Sequence, residues 1–354
     1  MKDNIDEMTN HLNQIDGLLT DQPQLARTVT FSETGGPEML NISLMSIPAP
    51  AANEVRIMVK AIGLNRAESM WRSGEYIEEP VLPAKLGYDA AGIVEAVGSN
   101  VKHVKVGDLV GTIPAFSQNE YGVYGELILM PAHAVIKSPS SLSFEQVAAI
   151  WNPFITSYGA LIDSAHLHAG QNVLIPAASS SVGLAAIQVA NMVGAVPIAL
   201  TRKNAKKQQL LDAGASFVIA TEEEDVVEEV KKITNGHGAD VVFDPVGGPL
   251  FAKLLKALTR GGQMFLYGAL SDKITPLNLI DVLNQVPVIR GHTVWDITKD
   301  PERVEKARKF IFSGIASGAL KPMIATTFSF ENIVEAHRYL ESNQQIGKIV
   351  VTVD

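Results

Sequence analysis

The sequence predicts an α/β protein in which a doubly wound parallel sheet is joined to a second domain rich in short β-strands. Three observations carry that prediction. From about Trp151 to Trp295 apolar strand-like runs alternate with helical patterns, the order that places helices on both faces of a parallel sheet. From Arg27 to about Ile150 short β-type runs are instead divided by Gly and Pro, as in a compact barrel-like β domain. Between Gln171 and Lys203 (QNVLIPAASSSVGLAAIQVANMVGAVPIALTRK) an apolar strand passes through a small-residue turn into a long helix and a second strand.

The elements follow in order. Within residues 1–26, Ile5, Met8, Leu12, Ile15 and Leu19 recur at helical spacing, which predicts a short amphipathic helix closed by Pro23. It packs on the body or on a partner subunit, or frays as a tail; both readings stand. Asp3, Asp6, Glu7, Asp16 and Asp21 oppose an import or secretory signal there. Over 27–150 the strand runs are RTVTF, NISLMSI, EVRIMVKAIGL, AAGIVEAVG, DLVGTI and GELILM. Over 151–295 the strands are Val173 to Ile175, Val196 to Leu200, Phe217 to Ile219, Asp240 to Phe243, Gln263 to Tyr267 and Val286 to Gly291. Helices lie between them, one starting at Ala205, an acidic one from Glu222 to Thr234 and one from Leu250 to Leu258. Residues 296–354 read as helix, strand, helix and closing strand. They lack the turn chemistry of another such unit, so they are expected to return to the first domain.

Composition limits the function classes. A chain of 354 residues exceeds one ordinary core and predicts about two domains. Apolar content of 46% with 19% charged residues describes a globular protein, and no apolar run reaches the roughly 18 residues of a bilayer span. The net charge of −9 argues against a general nucleic-acid or anionic-membrane binder. With no cysteine, disulfides, cysteine nucleophiles and thiolate metal sites are all excluded, which fits a cytoplasmic protein.

The strand–turn–helix–strand segment holds a dinucleotide when turn N–H groups and the helix N-terminus face a pyrophosphate. The usual G-x-G-x-x-G reads here as Ala178-Ser179-Ser180-Ser181-Val182-Gly183, keeping only the third glycine; a bland core turn is the other reading. About twenty residues past such a turn an NAD-binding chain normally carries Asp or Glu for the ribose 2′-hydroxyl. No acidic residue occurs between Gly183 and Asp212, and the second strand ends Thr201-Arg202-Lys203, with Lys206 and Lys207 following. A guanidinium binds a 2′-phosphate bidentately where a carboxylate would repel it, so NADPH is the expected cofactor. Lys203 and Lys207 also fit a solvated basic helix start.

Several stretches together resemble one family: ETGGPEMLNI, AIGLNRAESMWRSGEY, LGYDAAGIVEAVGSNV, AASSSVGLAAIQVA, ADVVFDPVGGPLF, RGGQMFLYG and GKIVVTV. In this order they are similar to the medium-chain dehydrogenases/reductases, in the zinc-independent, zeta-crystallin-like quinone oxidoreductase branch. The resemblance covers Arg27 to Asp354. It implies a GroES-like β domain built from both chain ends around a Rossmann domain, with the nicotinamide in the cleft between them. It also implies reduction of quinones or activated C=C bonds.

The zinc alcohol dehydrogenases of that superfamily carry a G-H-E triplet, which reads here as Gly87-Tyr88-Asp89, and cysteine ligands at positions matching Asn65 and about Asn152. Asn and Tyr are poor Zn²⁺ ligands, so no metal is expected. Without one, a simple alcohol is a poor substrate, whereas a conjugated acceptor spreads developing charge onto an oxygen that a neutral donor can stabilise. Asn65, Tyr76 and Tyr88 are the candidate catalytic residues. Asn65 also fits a loop-stabilising role and Tyr88 also fits packing beside Gly87. Met70 stands where the family often has a tyrosine. Trp71 and Trp151 fit aromatic walls for a flat acceptor or plain core.

The candidate cofactor-binding set is Ser179, Ser180, Ser181, Val182, Thr201, Arg202 and Lys206, with Thr156, Thr221, Gly247, Tyr267, Gly268, Ala269, Gly291, His292 and Lys348. The leading reading is an NADPH-dependent quinone or enone reductase. The alternatives are an enoyl-thioester reductase of the same superfamily and a non-catalytic, NADPH-binding crystallin-like protein. The partners expected are a small-molecule acceptor and a second copy of the chain, with no nucleic acid and no membrane. The strand Val286 to Gly291 would leave an open apolar sheet edge in a monomer, and family members commonly pair this edge. A fold of Leu277 to Leu283 over the edge is the monomeric alternative.

Overall fold

The computed structural model describes residues 22–354. The helix expected from Ile5 to Leu19 lies outside the described residues. The chain divides into two compact units. One runs to Trp151 and takes back Ile324–Gln344 and Ile349–Asp354; the other comprises Asn152–Met323 and Gln345–Lys348.

The first unit opens with an antiparallel pair, β1 (Gln24–Thr30) and β2 (Asn41–Ile47). Then come β3 (Glu54–Gly63), helix α1 (Arg66–Ser73), β4 (Asp89–Val97), β5 (Leu109–Thr112), β6 (Leu127–Pro131), β7 (Val135–Lys137) and α2 (Phe144–Ala148). Strands β3 and β4 approach closely at Gly92, where an added Cβ would lie 2.1 Å from the carbonyl oxygen of Met58. The strand runs RTVTF to GELILM all form strands. The helix α1 inside AIGLNRAESMWRSGEY is an addition, ended by Gly74 at φ 78°, a left-handed conformation that glycine adopts without strain.

In the second unit α3 (Trp151–Ser157, its first residue belonging to the first unit) runs on as a π-helical turn over Tyr158–Ser164. There follow β8 (Asn172–Ile175), α4 (Ser181–Met192), β9 (Val196–Thr201), α5 (Lys207–Asp212), β10 (Phe217–Ala220), α6 (Val226–Ile233), β11 (Ala239–Asp244), α7 (Leu250–Ala257), β12 (Leu258–Leu266), α8 (Leu279–Gln285), β13 (Val288–Gly291), α9 (Trp295–Thr298) and α10 (Pro301–Ser317). The six strands form one parallel sheet in the order β10-β9-β8-β11-β12-β13, the doubly wound arrangement with its switch between β8 and β11. Leu174, Ile198, Val242, Leu254 and Met264 are fully buried in one core between sheet and helices. Each such side chain contributes about 1.5–3 kcal/mol relative to exposure.

The chain closes with β14 (Ile324–Ser329), α11 (Ile333–Ser342) and β15 (Lys348–Thr352). Strand β15 pairs antiparallel with β3, completing the sheet β14-β15-β3-β4-β5-β7 with β6 added beside β3.

Three boundaries differ from the sequence reading. The return to the first unit comes at Ile324 and not at residue 296, because α10 packs on α4: Gly314 lies so close that a Cβ there would meet Met192 Sδ at 3.0 Å. The acidic helix starts at Val226, since Asp225 caps it by accepting from the N–H groups of Val227 and Glu228. The last strand starts at Val288, because Val286 terminates α8 in a left-handed conformation at φ 49°.

Candidate active site

Most of the cofactor-binding candidates of the second unit gather at the carboxyl ends of its parallel strands. Ser179, Ser180, Ser181 and Val182 follow β8, Thr201 and Arg202 end and follow β9, and Thr221 follows β10. Gly247 follows β11, Tyr267, Gly268 and Ala269 follow β12, and Gly291 and His292 end and follow β13. Ligands of open parallel sheets bind in the crevice outside those ends.

At the turn after β8, Ser180 is the N-cap of α4: its Oγ accepts the Gly183 N–H at 3.0 Å. Gly183 is required by contact, since a Cβ there would fall 2.6–2.8 Å from backbone atoms of Ala177 and Ala178. The first turn of α4 contains no acidic residue. Tyr267 stacks on Phe243 with ring centroids 3.9 Å apart. Its hydroxyl is buried beside Ser180 without a hydrogen bond of good geometry, and burial pushes the phenol's pKa well up. A small-residue turn, an uncompensated helix start and a buried hydroxyl awaiting a partner fit a phosphate group.

Lys206 reaches back to this turn. Its Nζ donates to Ser179 Oγ at 3.2 Å and to the Gln345 carbonyl at 2.9 Å. The segment before β15 also packs here, because the Gly347 N–H donates to the Ser179 carbonyl at 3.0 Å. Sequence spacing gave no signal for Gln345 or Gly347. Burial lowers the Lys206 pKa, and the nearby Arg202 charge lowers it further. Arg202 is exposed and, among the described residues, makes no ion pair, whereas Lys207 pairs with Glu224 at 3.2 Å. Arg202 and Lys206 are two neighbouring cations, and Glu223 comes up beside them, its Oε2 accepting the Asn204 N–H at 3.3 Å.

Three other candidates have structural partners. Thr156 donates through Oγ1 to the Asn152 carbonyl at 2.6 Å. His292 is 2% exposed and its Nε2 lies 3.1 Å from the Thr156 carbonyl. A carbonyl only accepts, so that nitrogen carries the proton. Burial lowers the His292 pKa, and Asp296, 3.7 Å from Nδ1, opposes that shift. Lys348 is buried at the first position of β15, its N–H donating to the Met323 carbonyl at 2.7 Å.

In the first unit Asn65 begins α1. Its backbone N–H donates to Glu68 Oε2 at 2.5 Å, and its side-chain Nδ2 donates to Glu68 Oε1 at 3.0 Å and Asp89 Oδ2 at 3.1 Å. Glu68 Oε1 also accepts the Tyr88 N–H at 3.2 Å. The amide hydrogens of Asn65 are therefore engaged by two buried carboxylates. Glu68 was absent from the sequence candidates, although the N-x-x-E spacing of a capping box was there to be read. Tyr88 is buried against Phe116, and its hydroxyl donates to that of half-buried Tyr76 at 3.5 Å. Burial raises Tyr76 to about 12 and Tyr88 further still, so both are neutral phenols near pH 7. Behind them His337 Nδ1 receives Arg72 at 2.9 Å and Nε2 faces the Tyr124 hydroxyl at 3.2 Å. Arg72 only donates, which fixes a neutral His337 protonated on Nε2; burial, then the Arg72 and Arg66 charges, hold its pKa down at about 3.

Zinc does not fit here. Asn65 points its nitrogen at carboxylates, the Tyr88 hydroxyl points at Tyr76, and Asp89 already accepts from the Asn65 amide. Among the described residues no group of three or more His, Cys, Asp or Glu side chains is placed to hold a metal ion. No helix among them is long and apolar enough to cross a membrane.

Comparison with known proteins bears on the same two regions. Residues 51–140 match the family model for the alcohol dehydrogenase GroES-like domain, and residues 181–313 match that for zinc-binding dehydrogenase. The chain is 35% identical over 330 residues to quinone oxidoreductase of Pongo abelii, covering 93% of this chain and 98% of that protein. It is 37% identical over 328 residues to quinone oxidoreductase 1 of Escherichia coli K12, covering 91% and 98%. The crystal structure of Escherichia coli quinone oxidoreductase complexed with NADPH superposes with a TM-score of 0.87 at 34% identity, covering 93% of this chain and all of that one.

Proposed function

Since the chain belongs to the medium-chain dehydrogenase/reductase superfamily, in its quinone oxidoreductase branch, we propose that it transfers a hydride from NADPH to a quinone or an α,β-unsaturated carbonyl. The observation that carries this reading is the donor set of the first unit, a neutral phenol at Tyr88 in place of a metal ligand and the Tyr76 phenol that accepts from it. When bound, NADPH supplies the hydride. Ser179, Ser180, Ser181 and Gly183 would hold its pyrophosphate, and Arg202 with Lys206 its 2′-phosphate. The Escherichia coli relative solved with NADPH supports that choice of cofactor.

Tyr88 donates to Tyr76, which leaves the Tyr76 hydrogen for the acceptor's carbonyl oxygen, where negative charge grows as the conjugated system is reduced. Asn65, with its amide engaged, shapes the site by holding Glu68 and Asp89 in place. The remaining work is orientation of the acceptor. Spectrophotometric oxidation of NADPH with a quinone, an alkenal and an enoyl thioester tests the reading. Turnover of a quinone or alkenal supports it, and NADPH binding without turnover of any of the three would leave the crystallin-like role.

The partner in assembly is a second copy of the chain. Helix α8 leaves Leu279, Ile280 and Leu283 each more than 60% exposed, and Val288 and Ile289 on the edge strand are exposed as well. An apolar sheet edge of this kind invites strand pairing across a two-fold axis. Light scattering that gives a mass near 38 kDa at all concentrations would exclude the dimer. The absence of cysteine supports a cytoplasmic setting.

A further inference from the structure

Helix α1 stops at Gly74, and the next nine residues, EYIEEPVLP over 75–83, form a loop that carries Tyr76. Its composition is unusual on two counts. Ile77 and Val81 are 64% and 70% exposed, and Leu82 is exposed beside them. Among them stand Glu75, Glu78 and Glu79, three carboxylates with no Lys or Arg in the loop.

None of the three is neutralised among the described residues. Glu75 accepts from Ser73 Oγ at 3.3 Å and Glu78 from Ser117 Oγ at 3.1 Å, both uncharged hydroxyls, and no ion pair involves any of them. Of the flanking cations, Lys85 follows the loop by two residues, and Arg72, three residues before it, is buried and turned inward to His337, the Gly35 carbonyl and Glu341. The loop is also held in place. Asn119 accepts the Val81 N–H at 2.7 Å and donates to the Glu79 carbonyl at 3.0 Å, on a neighbouring loop that adds Glu120. The charge of Glu78 reaches both phenols, where it adds to the rise in their pKa values.

We propose that the loop Glu75–Pro83 selects uncharged, apolar acceptors and turns away anionic ones, including thioesters whose carrier bears phosphate groups. This rests on Tyr76 as the donor to the acceptor's oxygen. Exposed apolar side chains favour the ring or tail of a neutral quinone or enone. An anionic acceptor at Tyr76 meets the like charge of Glu78, with Glu75 and Glu79 on the same loop; at low ionic strength this costs about ten-fold in capture and is screened as salt is added.

The test compares naphthoquinone with naphthoquinone sulfonate as acceptors for NADPH oxidation. Sulfonation also changes the ring's electrophilicity, so the readout is how the ratio of kcat/KM values responds to charge. The neutral acceptor's advantage is expected to fall about ten-fold from low to high salt. In the triple variant E75Q/E78Q/E79Q the low-salt advantage is expected to fall to the high-salt value, with unchanged affinity for NADPH. The same enoyl group on coenzyme A and on N-acetylcysteamine gives a second pair with the same expectation. A ratio indifferent to both salt and the triple variant overturns the proposal. If no acceptor is reduced at all, the reductase reading fails by itself. The two quinones are then titrated by quenching of tryptophan emission, where the same dependence of the binding ratio supports the loop's selectivity and its absence overturns it.

Discussion

Helices α1 and α4 both start at candidate site residues, but the first brings its own anions to its N-terminus and the second brings none. At α1 the side chain of Glu68 caps the Asn65 N–H, and Asp89 joins it on the Asn65 amide. At α4 the cap is the neutral hydroxyl of Ser180, the first turn has no acid, and Tyr267 holds a buried hydroxyl nearby without a partner. Helix starts favour negative charge. One has been satisfied within the chain and repels a further anion; the other stays open to one and has Lys206 and Arg202 close by. The difference teaches that two helix starts of one chain can differ in whether the chain itself supplies the negative charge they favour.

The largest effect that sharpens this contrast concerns the closed side. His337 is held neutral with a pKa of about 3, below the usual histidine value. The unfolded chain takes up a proton near pH 6.5 and the folded one does not, so this group's stability is present above about 6.5 and is lost as the pH falls toward 3. Between pH 7 and pH 4 the loss amounts to about 3 kcal/mol. Denaturant unfolding at both pH values should show a correspondingly smaller loss in His337→Gln, and an equal loss in both proteins would contradict the assignment.

On the open side, Arg202→Ala should weaken NADPH binding by about 1.5–3 kcal/mol while leaving NADH nearly unchanged. Isothermal titration reads both, and equal affinities for NADH and NADPH in the unaltered protein would remove the 2′-phosphate from Arg202. Gly183→Ala forces the turn's backbone apart and should cost about 1–2 kcal/mol of stability together with weaker cofactor binding; a variant with normal melting and normal NADPH affinity would show that the close contact is relaxed at no cost. The smallest effect is none at all. Chelators should leave NADPH oxidation unchanged and elemental analysis should find zinc far below one per chain, whereas stoichiometric zinc lost with activity would return the Asn65 region to metal chemistry.

Much of the open side was legible in the sequence because its chemistry is local. Small residues between an apolar strand and a helix announce the close backbone approach that Gly183 makes; the lack of an acid near Arg202 in sequence points to an anion there, whereas the fold brings Glu223 to neighbouring Asn204. The closed side was legible only in part. Asn65 could be singled out through the family resemblance and Tyr76 and Tyr88 as available phenols, but not that the Asn65 amide is engaged by Glu68 and Asp89, nor that the Tyr88 hydroxyl donates to Tyr76. The last strand starts later than its residues suggest: Val286 is β-branched and reads as strand, yet it closes α8 in a left-handed conformation, its N–H donating to the Val282 carbonyl.

The sequence by itself determined the two kinds of unit, the small-residue turn before α4, the cationic strand end and the lack of thiolate ligands, since each follows from residue type and short-range periodicity. Only the tertiary structure decided which distant groups meet. Arg72 reaches His337 across 265 positions, and Gly347 bonds to Ser179 just before β15 runs antiparallel to β3. Such contacts depend on strand register and on which helix packs where, and these are set by the whole core at once. No local pattern encodes them.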